Sequence, residues 1–323
     1  MEKKKTNEIT SEIDKGRKLV LMGNTGVGKT SITSIIFNNL SPNDTFLLNW
    51  TNSISTSYMR LSGGLTIKLL DCGGQDEYIN EYFSTKTKEI FDNVSIFIFV
   101  IEAESVKSSK KGNSKNSDID YFKNCMDHLG DKSPDAKVFV LIHKMDMIAE
   151  VRKKAVLEKR RHEILDRASD FEVKCFPTSI WDDSLYKAWR IIMSSTIMNL
   201  DKLKQGLNLL MKACGAQEVI LFDKSTFLSI CSVSEEDNKT EDISDDNKNF
   251  DKISITIKKL KGHLGKLLHL KLNIKNSTVY IEDFTRNTYI LFSIKGAKIN
   301  FELLAVNIEL VRNKFENITN PQV

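Results

Sequence analysis

The run Gly23-Asn24-Thr25-Gly26-Val27-Gly28-Lys29-Thr30 follows directly on the apolar segment Leu19 to Met22 and leads into a helical pattern. A strand that ends in this glycine spacing and turns into a helix reads as a P-loop, which commits the first part of the chain to a sheet covered by helices. The glycines let the backbone close tightly, so that successive N–H groups converge on phosphate oxygens, and the helix N-terminus adds its positive dipole end. On this reading the backbone from Thr25 through Gly26, Val27 and Gly28 cradles the phosphates, Lys29 reaches the outer ones and Thr30 holds Mg2+. Ile32, Ile35, Ile36 and Leu40 recur at helical spacing, so core packing fixes the helix that carries the cradle.

From Lys18 to about residue 195 short apolar runs alternate with helical patterns, as in a mainly parallel sheet. The expected strands are Leu19 to Met22, Tyr58 to Leu61, Leu65 to Leu70, Ile96 to Ile101, Val138 to Ile142 and Val173 to Phe176. Gly63-Gly64 between the second and third reads as a hairpin turn, so one edge strand runs antiparallel. Beyond about Ser195 the pattern changes to five strands, Val219 to Phe222, Phe227 to Val233, Leu270 to Ile274, Thr278 to Phe284 and Thr288 to Ile294, the turn Asn276-Ser277 joining two of them. Apolar stripes at helical spacing (Ile253, Ile257, Leu260, Leu264, and Phe301, Leu304, Ala305, Ile308, Val311, Phe315) add two helices. The expected organisation is a flexible tail over 1–16, a P-loop domain over 17–195 and an α+β domain over 196–323.

At 323 residues with 41% hydrophobic side chains, the chain is long enough for two cores. Its 47 basic and 43 acidic residues leave a net charge of +4, which gives no footing for nucleic acid or for strong membrane adsorption. No run approaches the ~20 apolar residues that span a bilayer, and there is no signal or lipidation motif, so direct membrane insertion is not expected and any membrane residence comes through a partner. The five cysteines are scattered, without zinc spacing, and read as reduced cytosolic thiols. Two polar tracts, Lys107 to Ser117 and the acidic 234–249, read as solvated loops. A helix from about Glu150 to Ser169 carries a dense basic face, which reads as solvated.

Three further motifs carry chemistry. Asp71-Cys72-Gly73-Gly74-Gln75 ends a strand, where Asp71 holds the Mg2+ shell through water, Gly74 offers its N–H to a γ-phosphate and Gln75 orients an attacking water. His143-Lys144-Met145-Asp146 closes another strand and puts the Asp146 carboxylate where it accepts from guanine N1–H and N2–H, selecting GTP or GDP over adenine nucleotides. Thr178-Ser179-Ile180-Trp181 follows the last strand of this domain, where the N–H of Ser179 or Ile180 donates to guanine O6. Between the P-loop helix and the hairpin, residues 41–57 are polar and poorly periodic; Thr51 is placed to close on Mg2+ and the γ-phosphate only when GTP is bound. This loop contains no Arg or Lys, so the positive charge that speeds hydrolysis is expected from a partner.

GNTGVGKTS, DCGGQD, HKMD and TSIWDDSLYKAW, followed by Glu218-Val219-Ile220-Leu221-Phe222 and Thr226-Phe227-Leu228, resemble the Rag/Gtr family of GTPases and within it the RagA-like class. The likeness spans nearly the full chain. It implies a Ras-like GTPase domain followed by a roadblock or longin-like domain, and a heterodimer with a RagC-like GTPase joined through the latter. It also implies recruitment by a scaffold complex to the lysosomal or vacuolar surface, an activating complex that supplies an arginine, and a relay of amino-acid sufficiency to the TOR kinase complex. The family's nucleotide contacts fall on Thr25, Gly26, Gly28, Lys29, Thr30, Ser31, Thr45, Thr51, Gly74, His143, Asp146 and Ile180, with Gln75 as the hydrolysis residue. His143 stands where G proteins commonly carry Asn, and Phe46 to Trp50 replace the basic stretch expected in relatives. A monomeric Ras- or Arf-like protein would lack the second domain; a scaffold that binds nucleotide without cycling would not need Thr51 and Gln75.

Overall fold

A computed structural model describes residues 17–49, 51, 54–60, 66–73, 76–104, 118–195, 200–224, 226–235, 269–274, 277–295 and 301–319. The tail 1–16, Trp50, Gly63-Gly64, the pair Gly74 and Gln75, the insert 107–117, all but the first two residues of the acidic tract and the stripe Ile253 to Leu264 lie outside the described residues. The chain divides into two compact units, one reaching Ala188 and one beginning at Trp189. Among the described residues no helix is long and apolar enough to cross a membrane.

The first unit is built on six strands: β1 Arg17–Met22, β2 Ile54–Arg60, β3 Thr66–Cys72, β4 Val94–Glu102, β5 Lys137–His143 and β6 Val173–Pro177. They lie in the order β2-β3-β1-β4-β5-β6, all pairs parallel except that of the antiparallel edge strand β2. The strands are nearly continuous apolar runs because both faces are covered. Along β4, Phe97, Phe99 and Ile101 enter the core on one face, while the intervening Ile96, Ile98 and Val100 are buried on the other. The first of these faces packs against α2 Asp76–Ser84, α3 Thr87–Phe91 and α4 Asp118–Lys132, and Phe83, Phe91, Phe97, Phe99 and Tyr121 form a chain of ring contacts there.

The P-loop helix α1 spans Lys29–Asn38 with Ile32, Ile35 and Ile36 fully buried; Leu40 falls beyond its end, because Asn39 takes a left-handed conformation and closes the helix. Strand β2 begins at Ile54, four residues before the expected start, in a stretch that lacked an apolar period because it is a half-exposed edge. The basic helix α5 runs Glu150–Leu165 and stops short of Ser169, a residue at φ 54 that cannot continue it. Its charges are largely paired, Lys153 with Glu150, Arg152 with Glu104 and Arg160 with Glu163. Helix α6 Ser184–Ser194 follows β6.

Beyond α6, the second unit carries α7 Leu200–Cys214, β7 Glu218–Asp223, β8 Ser229–Ser234, β9 His269–Ile274, β10 Ser277–Thr285, β11 Thr288–Lys295 and α8 Phe301–Thr319. The sheet, ordered β8-β7-β11-β10-β9, is antiparallel throughout. Leu203, Leu207 and Leu210 of α7 and Leu304, Ile308 and Phe315 of α8 pack on one face of it, as in a roadblock or longin-like module. Ala305, expected in the α8 stripe, faces out.

Candidate functional site

In an open parallel sheet, ligands bind beyond the carboxyl ends of the strands where the strand order reverses. That point lies here at β1, which has β3 on one side and β4 on the other. The register lines up the candidate residues across it: Leu21 pairs with Asp71, Glu102 with His143, and Ile142 with Pro177. Sheet pairing therefore gathers segments far apart in the chain at one edge.

The loop leaves β1 through Gly23 at φ 144, so close over the neighbouring strand that a Cβ there would sit 2.2 Å from the Val100 carbonyl oxygen. Gly26 and Gly28 also have positive φ, 77° and 100°, which L side chains rarely tolerate. Val27 is buried and anchors the loop from below, while Thr25 and Gly26 stay exposed. A cavity of about 290 Å3 opens against the N-terminus of α1, lined on one side by Thr25, Gly28, Lys29, Thr30 and Ser31 and on the other by Thr45, Leu48, Asn49 and Thr51. Thr45 is held in a short 3-10 turn by its hydroxyl donating to the Pro42 carbonyl, 2.8 Å.

Inside the cavity Lys29 donates to the carbonyl oxygens of Gly23 at 2.7 Å and Asn24 at 2.9 Å. Burial pushes its ammonium down to about 8, with the Asp71 carboxylate opposing. Burial likewise raises Asp71, Lys29 opposing. Thr30 Oγ1 donates to Asp71 Oδ2 at 3.0 Å and lies 2.7 Å from Thr51 Oγ1, so the three expected metal-site residues meet. Asp71 Oδ1 is buried without a partner of its own. An orphaned carboxylate oxygen beside two hydroxyls is an all-oxygen donor set, which suits a hard cation such as Mg2+. Cys72 next to it is fully buried, its thiol pushed up to about 12, and takes no part.

At the other end, His143 is 2% exposed, and burial lowers it to about 4 against the pull of Asp146, so its ring is neutral. Its Nδ1 is 2.9 Å from Thr178 Oγ1, and its Cδ2 and Nε2 lie where a Cβ on Gly28 would come within 3.0 and 3.1 Å. The imidazole thus packs between the loop after β6 and the neck of the P-loop. Lys144, at φ 62, turns back to donate to the Gly26 carbonyl at 2.8 Å and pairs with Glu102. Asp146 is exposed and aimed by Ser179, whose hydroxyl donates to Oδ1 at 2.6 Å. The Ser179 N–H is already given to Ser184 Oγ at 2.9 Å, which leaves Ile180 as the donor for a base carbonyl in this loop.

The P-loop and residues 45–51 thus line one cavity, Asp71 meets Thr30 beside it, and His143 and Lys144 join the base loop to the P-loop at Gly28 and Gly26; Gly74 and Gln75 lie outside the described residues. Sequence reasoning gave no role to Thr178, Glu102 and Ser184, which act by fixing other residues. Adjacency to Ser179 was a signal for Thr178, whereas Glu102 reaches Lys144 only through the β4–β5 register.

A family model, the Gtr1/RagA G protein conserved region, matches residues 18–257. Ras-related GTP-binding protein A of Dictyostelium discoideum is 36% identical over 94% of this chain and 98% of its own length. GTP-binding protein gtr1 of Schizosaccharomyces pombe is 37% identical over 93% of this chain and 95% of its own. Ras-related GTP-binding protein C of Homo sapiens is more distant, 26% identical over 64% of this chain and half of its own length. With a family model matching residues 18–257 and likeness to curated relatives over nearly the whole length, the chain belongs to the Gtr1/RagA family of G proteins.

Proposed function

We propose that this chain is a GTP-binding and GTP-hydrolysing switch whose state partners read through residues 41–57. The observation that carries it is the 2.7 Å contact between the Thr30 and Thr51 hydroxyls, which ties that segment to the P-loop helix at the Mg2+ donor set. When bound, Mg2+ neutralises charge on the β- and γ-phosphates; Thr30 and Thr51 would hold it directly and Asp71 through water. Lys29 exchanges the Gly23 and Asn24 carbonyls for phosphate oxygens. Asp146 accepts from guanine N1–H and N2–H, Ile180 donates to O6, and the neutral His143 keeps the base loop and the P-loop in register. Gly74 donates to the γ-phosphate and Gln75 orients the attacking water. Loss of the γ-phosphate removes what Thr51 and Gly74 share, and the segment is released.

The finer reading follows the family. Residues 196–323 pair this chain with a RagC-like GTPase, a scaffold holds the pair peripherally at the lysosomal or vacuolar membrane, and the pair relays amino-acid sufficiency to the TOR kinase complex. Because residues 41–57 hold no Arg or Lys, an activating complex supplies the arginine that speeds an otherwise slow hydrolysis.

Titration of a fluorescent GTP analogue tests the site: Lys29→Ala and Asp146→Ala are expected to lose binding, and undiminished affinity in both would overturn the assignment. Gln75→Leu is expected to keep GTP but lose stimulated hydrolysis. Isolation of the tagged chain from its own cells without any related GTPase would sink the heterodimer.

A further inference from the structure

The P-loop is held by a second group of residues that no nucleotide contact explains. Asn24 lies at the neck of the loop, between Gly23 and Thr25, and its backbone carbonyl takes one hydrogen bond from Lys29, 2.9 Å. Its side-chain amide donates in turn to Asp118, the first residue of α4. Asp118 is 14% exposed and its other oxygen lies 3.9 Å from a guanidinium nitrogen of Arg160 on α5. Arg160 is 12% exposed and fully engaged: Nε donates to the Ala103 carbonyl at 3.2 Å, Nη2 to the Glu102 carbonyl at 3.1 Å, and Nη1 pairs with Glu163 at 3.1 Å.

Those carbonyls end β4, the strand beside β1, so Arg160 is fixed to the sheet and faces Asp118 as a charge partner at 3.9 Å. A carboxylate so near a polyphosphate site would repel the ligand and, half-dehydrated, would be costly alone. A guanidinium that cannot move away offsets both effects.

We infer that Asp118 and Arg160 are positioning residues: they hold Asn24, and so the neck of the P-loop, and thereby set how fast nucleotide leaves. The inference rests on the nucleotide-site reading above. Cradle N–H groups bind phosphate well only when their geometry is fixed beforehand, since a loop that opens at its neck loses several contacts together. Lys144 ties the loop at Gly26 and Asp118 ties it at Asn24, and both ties run back to Glu102-Ala103 at the end of β4.

The test uses the complete chain loaded with a fluorescent GDP or GTP analogue and chased with excess unlabelled nucleotide, with thermal unfolding followed in parallel. Asn24→Ala and Asp118→Ala are each expected to release nucleotide about tenfold faster, the worth of a hydrogen bond to a charged group, and the double variant no faster than either alone. Asp118→Asn keeps the acceptor and is expected to release at close to the wild-type rate. Arg160→Ala is expected to weaken binding with a shallower salt dependence, because salt screens the repulsion from the uncovered Asp118, and Arg160→Ala combined with Asp118→Asn to recover it, a rescue that a merely structural role would not produce. Single effects that multiply in the double variant, or a wild-type release rate in folded Asn24→Ala, would overturn the inference. Should Asp118→Ala fail to fold, half-exposed Asn24 with Asp118→Asn and the charge rescue still decide it. Retained binding in Lys29→Ala would instead strike the site reading itself, so the two failures are distinguishable.

Discussion

His143 shows how much a single residue in this site depends on its surroundings. Burial holds its ring neutral, with a value near 4 in the folded chain against 6.5 when exposed. The folded value is the lower one, so as pH falls the unfolded chain takes up the proton first. The contribution is therefore complete above pH 6.5 and is lost between 6.5 and 4. At most about 3 kcal/mol hangs on it. Denaturant unfolding at stepped pH should show wild type losing more stability across that window than His143→Asn; parallel curves would contradict the neutral buried ring. Between pH 6 and 8, nucleotide affinity should show no histidine titration. Gly28 beside it is equally constrained, since an alanine there combines φ 100 with a Cβ 3.0 Å from the ring. Gly28→Ala should cost about 5- to 150-fold in nucleotide affinity, as strain of about 1–3 kcal/mol implies, and titration against wild type checks it.

Among the elements, α7 meets α8 at Gly206, where a Cβ would meet the Phe315 ring at 2.7 Å. Phe315 is 2% exposed and held edge-on against Phe284, ring centres 5.1 Å apart, so it has little room to give. Alanine usually stabilises a helix over glycine by about 1 kcal/mol, yet here overpacking of about 1–3 kcal/mol opposes it. Gly206→Ala should lower the unfolding midpoint of the second unit; a rise would mean that the helices separate freely. The elements themselves were mostly legible. Buried strands such as β4 and β5 announce themselves as apolar runs because both faces are covered, and α1 by its 3.6 period. Strand β2 was half hidden, since an edge strand of Ser, Thr and Tyr has no buried face to write a period into the sequence. The basic stripe of α5 read as one solvated face, but Arg160 on it points inward to Glu102 and Ala103, which charge alone could not foretell.

For the whole molecule, two compact units on one chain predict two responses to ligand. Mg-GTP at a hundred times its Kd stabilises what it binds by about 2.7 kcal/mol. Calorimetry of the full chain should show that shift in the transition that Asp146→Ala abolishes, and we propose that residues 196–323 melt unmoved by it; a single transition shifting as one would refute separate units. By itself the sequence determined the fold class, a mainly parallel sheet followed by an antiparallel one, and the candidate phosphate, base and metal residues are written in it as contiguous motifs whose spacing the backbone geometry dictates. Only the tertiary structure decided that Asn24 leans on Asp118, that Glu102 meets Lys144 and that Ser179 spends its N–H on Ser184. Those pairs join segments remote in sequence, and sheet register and helix packing, which no local pattern encodes, bring them together.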